Sequence, residues 1–444
     1  MRFRINLFSI AVFQYAALFV NLGLQFILTY LVAPHVFGNA AKLQLAIDIF
    51  IVFLSVGLHT AVLQLQESDT NKLIKNTLIL SILQALILVF IGFLTFLSCY
   101  FLKLYSLKDA ILLMLLLFTT ALAMIKQVFY VIYEQKQAFL FNSKINFYLN
   151  ICIATPTILL AWQYPIIEVL MGRIIVLNFL SFVIYTYLAI FDLKLTFLAP
   201  QNWNWSRVFD RNRSKNLDSS LAKQIIHLSF QYYLARLLEA LQSRIDIIVI
   251  SYLFDNQEVG IYERIKYYSN LPQNMLNGFA NRINIVRYRV QNSLQNRLQS
   301  HINLLYHSHT IILLITPLLY LVAFCCLFSF NHFFAIRAFD NLFPLYFCFW
   351  SFAGLTSLLD NIRTYLQIHH AIIRTTLKIR FIPLLFFIAT IGTLVLSTIK
   401  PTIYLVAFLS SFSYLAAFFV IKPYLYWFNY MRFVKIVLRS TKIF

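Results

Sequence analysis

Four ionisable residues, Arg236, Glu239, Arg244 and Asp246, interrupt an otherwise apolar stretch between Leu234 and Val249. At about 100° per residue they fall with Gln242 and Ser243 on one side of a helix. Leu234, Leu237, Leu238, Leu241, Ile245 and Ile248 fill the other. A central Arg or Asp costs roughly 2.5–3.5 kcal/mol on bilayer-insertion scales, so the charged side must face protein or water. Two chemistries are open to it. One is a self-neutralising network, with Arg236 and Glu239 pairing at i, i+3. The other is a hydrated cleft where Arg236 and Arg244 attract an anion and Glu239 or Asp246 exchanges a proton or Na⁺. The four charges cancel, so a phosphate would also need Lys126 or Arg282, each near the inner end of its own span.

Uncharged polar residues form similar stripes. Gln14, Asn21 and Gln25 are spaced i, i+7, i+11, as are Asp48, Ser55 and His59, so each set lies on one helical face. Asn270, Asn274, Asn277 and Asn281 make a further stripe. Asp48 joins Glu239 and Asp246 as a candidate for a coupling ion. Metal chemistry has little support, because His59, His307/His309 and His369/His370 lack carboxylate or Cys companions at ligand spacing. The five cysteines all fall in apolar stretches without a paired motif. A phosphate-binding GxxxxGK[ST] loop, GxSxG and HExxH are all missing, so no bound cofactor and no catalytic residue is expected.

The elements that carry these stripes follow from composition. The chain has 444 residues, of which 61% are apolar, 17% aromatic and 12% charged, with a mean hydropathy of +0.75. Soluble domains are about 45–50% apolar and about 25% charged. The composition excludes a soluble enzyme, a nucleic-acid binder and a secreted disulfide scaffold. It predicts an all-α integral membrane protein. With about 20 apolar residues per span, twelve transmembrane helices are expected: 7–32, 44–64, 77–101, 110–132, 145–162, 168–191, 225–253, 265–286, 307–330, 339–359, 377–398 and 401–421. The basic start at Arg2 and Arg4 leads into the first span without a cleavage site.

Charge orients the spans. With both termini cytoplasmic, 26 of the 36 Lys and Arg fall on the inner side, eight on the outer side and two within the seventh span. The net charge of +20 then faces the anionic inner leaflet. A 192–224 connection, with Trp203, Trp205 and a basic run, separates a six-helix bundle at 1–191 from another at 225–421. Residues 422–444 form a basic interfacial tail on the inner leaflet. Sliding the chain by 222 residues superposes Tyr30, Leu31 and Gly38 on Tyr252, Leu253 and Gly260, and brings Asp48 onto Asn270. The halves therefore read as a parallel repeat around a central cleft lined by spans 1, 2, 7 and 8.

The segment from Asp246 to Tyr262, the following polar helix with Leu271-Pro272, and Asn21 to Gly38 with Gly57 to Ala61 together resemble Wzx-type polysaccharide (O-antigen) flippases. These belong to the multidrug/oligosaccharidyl-lipid/polysaccharide exporter superfamily. The resemblance implies two bundles that alternate access and a polyprenyl-pyrophosphate-linked oligosaccharide as substrate. It implies transport between leaflets of a bacterial inner membrane, in reach of glycan polymerase machinery. Sugar hydroxyls would suit the Gln and Asn stripes, and pyrophosphate would suit arginine. A drug or cation exporter of the superfamily is the first alternative. A membrane glycan polymerase or ligase is the second, disfavoured by outer connections of roughly a dozen residues or fewer.

Overall fold

The computed structural model describes residues 2–54, 58, 70–103, 106–135, 139–192, 219–270, 318, 320–325, 328–329, 344–350, 356, 373–397 and 401–417. Among these the regular structure is helical. The connection at 192–224, the tail at 422–444 and most of the spans expected at 307–330 and 339–359 lie outside the described residues. Two compact units divide the chain, Met1–Leu237 and Leu238–Phe444.

The first unit contains α1 (Arg2–Leu31), α2 (Pro34–Leu54), α3 (Thr70–Phe101), α4 (Leu107–Gln135), α5 (Phe139–Gln163) and α6 (Ile167–Asp192). Each forms because a long apolar run closes its own backbone hydrogen bonds, which a bilayer demands. Six described helices, five of them in this unit, are long and apolar enough to cross a membrane. α4 holds the unit together, packing on α2, α3, α5 and α6, while α1 packs chiefly on α5. Its apolar core runs from Leu28 and Ile47 through Leu88, Leu113, Leu116 and Leu117 to Ala161 and Met171. Ser106 caps α4, accepting from the Asp109 amide at 3.1 Å and donating to its carboxylate at 2.7 Å.

α7 (Ser219–Leu253) begins in the first unit and ends in the second. There follow α8, helical over 256–270, then α9 (Ile373–Leu396) and α10 (Ile403–Phe412). α10 is capped by the Thr402 hydroxyl, and α9 packs on α10.

Two spans start earlier than hydropathy suggests. α2 begins at Pro34 and not at 44, and α8 begins at Asn256 and not at 265. The cause is local chemistry. Pro34 presets the first helical position, and Asp255 accepts from the Glu258 amide at 2.8 Å as an N-cap. The two breaks recur after 222 residues, with Leu31 and Leu253 ending a helix and Pro34 and Asn256 opening the next.

Candidate functional site

The polar face of α7 is built into the second unit by three neighbouring helices. Asp246 is 1% exposed. Its Oδ1 accepts from Lys266 Nζ at 2.7 Å and from the Ile247 amide at 2.9 Å. Its Oδ2 accepts from the Tyr262 hydroxyl at 2.6 Å and from Ser410 Oγ at 3.4 Å. Lys266 also donates to the Ser243 carbonyl at 2.6 Å. One carboxylate therefore joins α7, α8 and α10. A turn earlier, Arg380 of α9 donates to Gln242 Oε1 at 3.1 Å, with both side chains buried.

Local sequence explains much of this geometry. Leu238, Gln242, Asp246 and Ile250 recur every four residues and are all buried, so the inward stripe of α7 has a polar middle between apolar ends. Tyr262 and Lys266 lie one turn apart on α8 and meet the same carboxylate. The Tyr262 ring is held edge-on by Phe349, with centroids 5.7 Å apart. A buried carboxylate needs such a donor set, because desolvation without partners costs more than folding can supply.

Arg244 points differently. It pairs with Glu263 at 3.5 Å, and both side chains are about a third exposed (34% and 31%). Of Arg236 and Glu239 only the backbone is described, as part of α7. The described charges of α7 are thus neutralised from α8 and not within their own helix. A helical wheel places a residue on a face but cannot say which neighbour covers that face. The expectation that the whole charged side looks away from its own bundle does not describe Gln242 and Asp246, which turn into the second unit.

The other expected residues lie as follows. Gln14, Asn21 and Gln25 are partly buried on α1. Asn21 accepts a hydrogen bond from Arg173 of α6. Asp48 on α2 accepts from Gln44 one turn earlier at 2.9 Å. Lys126 is partly buried on α4 and Asn270 on α8, while Asn274, Asn277 and Arg282 lie outside the described residues.

Sequence reasoning missed Tyr262, Glu263, Lys266, Arg173, Arg380 and Ser410. For the α8 residues a signal existed. Asp255 followed three residues later by Glu258 marks a helix start, which would have drawn Tyr262, Glu263 and Lys266 into a helix beside α7. For Arg173, Arg380 and Ser410 no local signal exists, because they meet their partners only across the fold.

Comparison with known proteins places this geometry. Residues 3–285 match a family described as polysaccharide biosynthesis protein. No curated protein matches the chain. Among solved structures, a mutant of the Vibrio cholerae MATE transporter VcmN is similar over 96% of this chain and 98% of its own, at 12% identity and a TM-score of 0.63. The lipid II flippase MurJ in an inward closed conformation is similar over 97% and 90%, at 14% identity and 0.62. An inward-facing MATE family transporter of the MOP superfamily is similar over 98% and 99%, at 14% identity and 0.59. At these identities the likeness concerns the fold, which is that of MOP-superfamily transporters.

Proposed function

The chain belongs to the polysaccharide biosynthesis protein family, and we propose that it flips a polyprenyl-pyrophosphate-linked oligosaccharide from the cytoplasmic to the periplasmic leaflet of a bacterial inner membrane. The product would serve O-antigen, capsule or a related surface polysaccharide. One observation carries the reading: a match to polysaccharide biosynthesis across residues 3–285 in a chain with a transporter fold. The twelve spans, cytoplasmic termini and central cleft belong to the same proposal.

In this mechanism the sugar and pyrophosphate pass through a hydrated path while the polyprenyl tail stays in lipid. Rocking of two bundles exposes the head group to each side in turn. Arg236 and Arg244 anchor the pyrophosphate, helped by Lys126 and Arg282. Gln14, Asn21, Gln25, Asn270, Asn274 and Asn277 exchange hydrogen bonds with sugar hydroxyls. Glu239, Asp246 or Asp48 takes a coupling proton or Na⁺. At Asp246 such an ion would compete directly with Lys266, which supports a link between ion entry and release of α8 from α7.

The experiment is complementation. Expressed in a strain lacking its own flippase, the chain should restore surface glycan, and Arg236→Ala combined with Arg244→Ala should abolish the restoration. Full restoration by the double variant would remove these arginines as anchors. The MATE likeness supports a second reading, a drug or cation exporter. That reading expects drug sensitivity without glycan loss on deletion.

A further inference from the structure

Most described cations within the membrane-spanning helices are engaged. Arg173 donates to Asn21, Arg244 to Glu263, Lys266 to Asp246 and Arg380 to Gln242. Lys126 differs. It is partly buried on α4 and has no hydrogen-bond or ion-pair partner among the described residues. It lies seven residues inside the end of the apolar span Leu107–Tyr133, about 10 Å along the axis. That exceeds the reach of a lysine side chain to the span's end, so simple snorkelling does not account for it. The described carboxylates of the first unit are committed elsewhere: Asp48 to Gln44, Asp109 to Ser106 and Glu168 to Lys108.

The surroundings of Lys126 are rich in donors. Thr119, Lys126, Tyr130 and Tyr133 follow at i, i+7, i+11 and i+14 and so share one face of α4. The rings of Tyr130 and Tyr133 both pack on Tyr185, with centroids 6.0 and 6.4 Å away. The Tyr130 carbonyl accepts from Asn142 at 3.2 Å, which fixes α5 at this level. On α3, Asn76 is 1% exposed, and its Nδ2 has no partner among the described residues. Ser81 donates to the Met124 carbonyl at 3.3 Å. This antiparallel register sets Asn76 within about one turn of Lys126 in height.

An intramembrane ammonium without a counter-charge is expensive, and its persistence marks a ligand of opposite sign. We propose that Lys126 is a receptor for the phosphate group of a membrane lipid, with the Tyr130 and Tyr133 hydroxyls and the Asn76 amide as further donors. The inference rests on the flippase reading where the lipid carries a glycan on pyrophosphate. An ordinary anionic phospholipid presents the same chemistry from another source.

The test uses full-length protein in phosphatidylcholine nanodiscs, titrated separately with polyprenyl pyrophosphate and with phosphatidylglycerol. Lys126→Met should weaken binding of the preferred lipid about tenfold or more, the worth of a charge-assisted hydrogen bond. Lys126→Arg should stay within a few-fold of wild type. Without added lipid, Lys126→Met should melt no lower than wild type, since it removes an uncompensated charge. Unchanged binding by Lys126→Met overturns the proposal, as does a marked loss of its lipid-free thermal stability, which would make the lysine structural. Equal or tighter binding of phosphatidylglycerol, with the same Lys126 dependence, supports the site and assigns it to phospholipid. If wild type binds in this way yet never restores surface glycan, the flippase reading fails while the phosphate site stands.

Discussion

Lys266 Nζ lies 2.7 Å from Asp246 Oδ1, and the two side chains are 15% and 1% exposed. The ion pair joins the last third of α7 to the middle of α8. Removing either partner strands the other charge. Asp246→Asn or Lys266→Met should lower stability by about 3–5 kcal/mol, read as a fall in melting temperature in detergent. The double variant should cost less than the sum of the two, because neither charge is left alone. Additive losses would show that the pair does not couple the helices.

Tyr262 reaches the same carboxylate with a 2.6 Å hydrogen bond, while Ser410 reaches it at 3.4 Å. Tyr262→Phe keeps the ring against Phe349 and removes only the hydroxyl. A cost of about 1.5–3 kcal/mol is expected for a bond to a charged acceptor. Ser410→Ala, at the longer distance, should cost less. Thermal melts of the two variants side by side check the order, and a reversed order would contradict the geometry.

Arg244 and Glu263 are partly exposed and 3.5 Å apart. Such a pair is worth about 0–1 kcal/mol, so Arg244→Ala should melt within a few degrees of wild type. If Arg244 anchors a pyrophosphate, the same variant should nonetheless restore less surface glycan. A variant that unfolds, or one that transports like wild type, would remove Arg244 from the proposed path.

Helices α3 and α4 approach most closely at Gly92. A Cβ there would overlap the Leu117 side chain, which is itself 1% exposed. Gly92→Ala should cost about 1–3 kcal/mol through overpacking. Adding Leu117→Ala should recover part of the overpacking term, although that change alone leaves a cavity. If Gly92→Ala were neutral in a melt, the close approach of the two helices would be disproved.

The spans expected at 77–101, 110–132, 145–162 and 168–191 all lie inside α3, α4, α5 and α6. They were legible because about 20 apolar residues in a row have few other uses. The starts of α2 and α8 were missed because hydropathy fades before the helix does, and the capping and proline signals at Asp255 and Pro34 carry little apolar weight. The polar stripe of α7 was legible by period as well.

Composition and periodicity alone thus determined the membrane class, the helices and the face on which each polar residue lies, since these depend on spacing along one chain. Tertiary structure decided that Asp246 meets Lys266, Tyr262 and Ser410, that Gln242 meets Arg380 and that Asn21 meets Arg173. Those contacts join residues between 16 and 164 positions apart. Which helix covers a given face is settled by packing among many helices at once, and no local pattern records it.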